Sequence, residues 1–183
     1  MSLAMNTDLI RELNNLRFGI EKSMRYHQRR RAHYEFTHRV LMFLVVLAAL
    51  AGMSEYVLHL NWWVPIFLPA APMLFAVIDL VYSPGTQARD HLALHQRFAT
   101  LVSEVLQAEA DAEAVTAAKI AQWNAARVRI ETDEPAIYWA LEADCFNEMV
   151  YARDQKDLVV KQGLFKRLFM QWIRFDQLPS HSG

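Results

Sequence analysis

The sequence predicts an all-α protein: a two-span transmembrane helical hairpin carrying a cytoplasmic helical domain formed by its N-terminal and C-terminal helices. Three observations lead there. Val40–Met53 is an unbroken apolar run of roughly 14 residues that reaches about 19 when carried through Glu55 to Leu58, the length of a membrane helix. Trp62–Tyr82 is a second run of about 20 residues, interrupted only by prolines before Asp79. Elsewhere apolar residues recur at spacings of three and four, and no stretch alternates with the period of a strand. At ~1.5 Å rise per residue each run covers about 30 Å, and the short break at His59–Asn61 allows only an antiparallel return.

The division expected is a basic cytoplasmic helix over 1–39, the hairpin over 40–82 with spans of about 40–58 and 62–82, a cytoplasmic helical domain over 84–157, and an amphipathic C-terminal helix and tail over 158–183. Charge gives the orientation. Lys22, Arg25, Arg29, Arg30, Arg31 and Arg39 precede the first run and Arg89 and Arg97 follow the second, while the connector holds no Lys or Arg. Positive residues stay inside, so both termini belong on the cytoplasmic side of a membrane that the chain crosses twice. Trp62 and Trp63 are expected as interfacial anchors at the outer end and Tyr82 at the inner end.

The first helix reads from Thr7, an N-cap candidate, with Leu9, Leu13, Leu16, Ile20 and Met24 as its stripe, and no breaker stands between Thr7 and Val40 except Gly19. Its second half interleaves basic and aromatic residues. That pattern suits first a collar on anionic headgroups and, as a sharper reading that does not exclude it, a phosphate-binding surface for a nucleotide or oligonucleotide. Arg25, Arg29, Arg127 and Arg129 are the phosphate-contact candidates. Inside the hairpin, Glu55 and Asp79 break the apolar pattern near its two ends. A carboxylate at that depth sits at the interface, with Arg39 as a partner for Asp79, or joins symmetry mates as an acidic ring around a pore. Pro69 falls inside the second span, where it frees a carbonyl and kinks the helix, and completes the pore-lining candidates.

After Ser83-Pro84-Gly85, helices are expected over Ala88–Ala112, Ala114–Ile130 and, capped by Thr132 or Asp133 with Pro135 in its first turn, Pro135–Ala152. Leu164, Phe165, Leu168, Phe169, Trp172 and Ile173 recur beside Lys161, Lys166, Arg167 and Arg174, the profile of an interfacial helix in which Phe169 and Trp172 touch the membrane, or else of a helix that packs on the cytoplasmic domain. Histidines at 27, 33, 38, 59, 91, 95 and 181 have no metal-site spacing, and no phosphate loop or nucleophile motif occurs. Neither an enzyme nor a cofactor or metal protein is expected. The single cysteine, Cys145, is expected reduced.

Residues Arg129–Glu148, RIETDEPAIYWALEADCFNE, following a basic helix and two spans, resemble the SLATT family, bacterial two-span effectors encoded beside nucleotide-signal synthases in antiphage conflict systems. Thr132–Pro135 keeps that family's acidic-proline core and Cys145, Asn147 and Glu148 match its end, while Ala136 and Phe146 depart from a second proline and a histidine. The resemblance implies a homo-oligomeric pore, a tetramer in the simplest case, set by a nucleotide-type signal from a partner nucleotidyltransferase and depolarising the membrane. The competing reading is a non-conducting membrane-anchored scaffold for a cytoplasmic protein. A reporter fused at Asn61 is expected outside and one at Gly183 inside; Gly183 outside would overturn the layout.

Overall fold

The computed structural model describes the backbone of residues 2–58, 70–110 and 115–175 and the side chains of residues 7–52, 70–110 and 115–175. Those residues are helical with no strand: α1 Ser2–Leu58, α2 Ala70–Tyr82, α3 Pro84–Glu109, α4 Ala117–Glu131, α5 Trp139–Ala152, a 3₁₀ turn Lys156–Leu158, and α6 Leu164–Phe169. α1 is continuous from Ser2, so Thr7 lies inside it rather than capping it. Nothing in its sequence interrupts the i to i+4 ladder, which therefore carries the chain from the N-terminal stripe into the apolar run.

The chain divides into two compact units, residues 1–29 with 92–183 and residues 30–91. The first is a helical core. Leu13, Leu16 and Ile20 of α1 meet Leu94, Phe98, Leu101, Val102 and Val105 of α3 and Ile120, Trp123 and Ile130 of α4. Each helix contributes one stripe at three-and-four spacing, and together the stripes exclude water from one another. α4 starts after Thr116, which caps it by accepting from the Lys119 N–H at 3.2 Å, three residues after the expected start.

The start of α5 corrects the expected Pro135. Thr132 closes α4, its hydroxyl donating to the Arg129 carbonyl at 2.7 Å, and the chain stays outside helix until Trp139. Tertiary bonds outweigh the local capping signal here: the Tyr138 N–H donates to Tyr26 Oη at 3.0 Å, and Glu134 turns to His27. Tyr26, Leu141 and Cys145 form a second apolar cluster, against which Ile137, Tyr138 and Met170 pack. Asn147 brackets the chain beyond α5, accepting from the Val160 N–H and donating to the Val160 carbonyl, both at 2.8 Å.

The second unit contains α1 from Arg30, α2, and α3 to His91. Ser83 turns the chain between α2 and α3 with φ 46°, its hydroxyl donating to the Leu80 carbonyl at 2.6 Å, and buried Pro84 opens α3. Tyr34 lies under the Arg30 guanidinium, 4.5 Å from its ring centre, and stacks on His91 at 5.5 Å. The expected Asp79–Arg39 pair is corrected: Asp79 holds His38 Nδ1 at 2.8 Å, and Arg39 reaches Glu35 at 3.6 Å. Helical spacing explains the exchange, because Glu35 and Arg39 are i, i+4 neighbours on α1.

Candidate functional site

Two features stand apart from ordinary packing, one in each unit. In the first unit, α1 presents Lys22, Arg25, His27 and Arg29, and the block 134–148 answers with carboxylates. Lys22 Nζ donates to Glu142 at 2.5 Å, His27 Nε2 to Glu134 at 3.0 Å, and Arg29 to Asp144 at 2.5 Å and also to Glu148. Arg25 stands 3.9 Å from Glu148. His27 is fully buried, stacked on Phe98 at 5.6 Å, so its contact with Glu134 is the innermost of the series. Burial pulls the Arg29 guanidinium down, but the bond to Asp144 and the neighbouring negative groups outweigh it and hold the group above its ordinary value. Burial pushes the Cys145 thiol up to about 12, so this cysteine is an inert core residue.

The phosphate-contact candidates are thus not gathered into one site. Arg25 and Arg29 face α5. Arg127 pairs with Glu131 along α4 at 2.7 Å, and Arg129 is exposed in the last turn of that helix. Arg127 does reach a cleft of about 500 Å³ whose other charged walls are Lys22, Glu131, Glu134, Glu142 and Arg174. Gly19 makes room for it: a Cβ there would stand 2.6 Å from Arg127 Nη1. Lys22 and Arg174 were not among the phosphate candidates; only the meeting of α1, α4, the segment around Pro135 and the chain beyond α6 brings them to one hollow. The acidic-proline motif lines that cleft through Glu134 and Pro135. Among the described residues no three His, Cys, Asp or Glu side chains come together as a metal site.

In the second unit, apolar side chains lie uncovered. Phe43, Val46, Leu47 and Leu50 of α1 and Met73, Leu74, Val77, Ile78, Leu80 and Val81 of α2 are all exposed. Among the described residues α1 is the one helix long and apolar enough to cross a membrane, and only 6% of its most apolar 18-residue window is buried. A helix at the centre of a soluble core has the opposite burial. α2 is 13 residues, about 20 Å, shorter than the hydrocarbon layer. The first half of the expected second span, with Trp62, Trp63 and Pro69, lies outside the described residues, as does the side chain of Glu55 near the end of α1. Asp79 sits on α2 against His38, one turn before Tyr82.

Comparison with protein-family models, curated proteins and solved structures found no match to this chain. The role of the acidic motif therefore rests on its geometry. Glu134→Ala is expected to lower stability by about 1–3 kcal/mol, because it strands the buried His27 donor. Asp133→Ala next to it removes only an exposed pair with Arg97 and is expected to cost under about 0.5 kcal/mol. Thermal melts of both variants in one detergent check this; equal losses would place Glu134 outside the core network.

Proposed function

We propose that this chain is a two-span protein of the bacterial inner membrane, both termini cytoplasmic, that assembles into an oligomeric ion-conducting pore. In that role it is an effector of an antiphage defence system, opened by a nucleotide or oligonucleotide signal and depolarising the membrane. The observation that carries the reading is the uncovered apolar surface of α1 and α2, which calls for lipid or further copies of the chain around it. Two helices cannot enclose a channel, so conduction requires several chains about an axis, a tetramer being the simplest arrangement consistent with such pores. Glu55 and Asp79 then recur around that axis. Asp79 already has His38, which leaves Glu55 as the carboxylate that sets ion preference.

For the signal, the candidate is the cleft beside the acidic-proline motif, lined by Lys22, Arg127 and Arg174; a phosphate-bearing ligand there would draw Lys22 from Glu142 and Arg127 from Glu131. A nucleotidyltransferase is the partner expected to make that ligand. One observation favours the scaffold reading instead. Arg25, Arg29 and Lys22 are engaged by carboxylates of α5, so the basic face of α1 is satisfied within the chain and needs no anionic ligand.

Purified protein in planar bilayers separates the two. The pore reading expects discrete current steps when candidate cyclic or linear oligonucleotides are added, and a reversal potential under a salt gradient that Glu55→Gln moves toward zero while assembly is unchanged. Silence at every ligand and voltage, from protein shown to be inserted, would favour the scaffold.

A further inference from the structure

From Leu158 to Phe175 the chain carries Lys161, Lys166, Arg167 and Arg174 and no acidic residue. Within it Leu164 is 87% exposed, Phe165 60%, Leu168 69% and Trp172 57%. α6 supplies one helical turn and a half, and the Trp172 and Ile173 N–H groups, both donating to the Phe169 carbonyl, carry the same path two residues past Gln171. The opposite side of the segment is fastened to its own unit. Met170 packs on the cluster of Tyr26, Leu141 and Cys145, the Gln162 amide donates to the Ala140 carbonyl at 2.9 Å, and Asn147 brackets Val160. The apolar side chains are therefore held outward, not merely unplaced.

We propose that this segment is a second membrane contact, one that lies on an anionic lipid surface. Leu164, Phe165, Leu168 and Trp172 would enter the headgroup–acyl boundary, and Lys161, Lys166 and Arg167 would meet the phosphates. Charge chooses this occupant over a second copy of the chain, since two such segments face to face would set cations against cations. Aromatic and basic residues interleaved on one short path are the composition that favours the water–lipid boundary. Arg174 is set apart from that face, because it lines the cleft with Lys22 and Arg127. One segment thereby joins the lipid contact to the cleft wall. The inference rests on the membrane anchorage proposed above and not on conduction.

Hydrogen exchange of the full chain in nanodiscs tests it, comparing purely zwitterionic discs with discs containing about a third phosphatidylglycerol. Amides of residues 164–173 are expected to exchange about tenfold more slowly in the anionic discs, with the difference shrinking at high salt. Lys166→Gln with Arg167→Gln should erase the dependence on lipid charge, and Phe165→Glu with Trp172→Glu should erase the slowing itself. The same slow exchange in both discs and in detergent, kept by the glutamate variant, would mean that protein covers the segment and would overturn the proposal. Protection of residues 40–52 and 70–82 serves as the internal control: if those too exchange freely, the anchorage has failed, whereas protection there without it at 164–173 sinks the docking alone.

Discussion

The constraint on which the rest depends is the apolar surface that α1 and α2 leave uncovered. Removing so many half-exposed Leu, Val, Ile, Met and Phe side chains from water is worth on the order of 10 kcal/mol or more. Exposed ion pairs, at about 0.2–1 kcal/mol each, do not approach that figure. Where those side chains rest thus weighs more than any polar contact, and lipid, as proposed above, is a surrounding that would take them. The polar groups of the same unit fit such a placement. His38 and Asp79 satisfy each other, and Arg30 is gathered over Tyr34 rather than turned outward.

Against that apolar requirement, the block from Glu131 to Glu148 has a constructive role. Its carboxylates are spaced so that Glu134, Glu142, Asp144 and Glu148 meet His27, Lys22, Arg29 and Arg25 along successive turns of α1. Only the His27–Glu134 contact is deeply buried, so it is the one whose loss strands a donor; the outer pairs fix register more than they stabilise. Two further residues of the block also make contacts: Phe146 meets Phe18 edge-on at 5.5 Å, and Ala136 lines the cleft.

Much of this was legible in the residues. Helical periodicity gave Leu13, Leu16 and Ile20, because amphipathic spacing reports burial directly. The absence of breakers between Thr7 and Val40 foretold the unbroken α1. The start of α5 was not legible, since Thr-Asp-Glu-Pro is a capping signal and it is the distant Tyr26 hydroxyl and His27 ring that hold residues 134–138 outside helix. The partner of Asp79 was missed for a related reason: proximity in depth pointed to Arg39, whereas the rotation of α1 brings His38 round. The cleft was illegible altogether, because its walls come from Gly19, Arg127, Pro135 and Arg174, which share no pattern along the chain.

Whether α1 and α2 lie in lipid, as proposed, can be read residue by residue with spin labels. Cysteines introduced at Leu47 and Val77 on a Cys145→Ala background, labelled and reconstituted in liposomes, would be read for collisions with oxygen and with a water-soluble nickel chelate. High oxygen and low nickel accessibility are expected at both sites, with a label at the exposed Gln122 showing the reverse. High nickel accessibility at Leu47 and Val77 in protein that stays folded would contradict it.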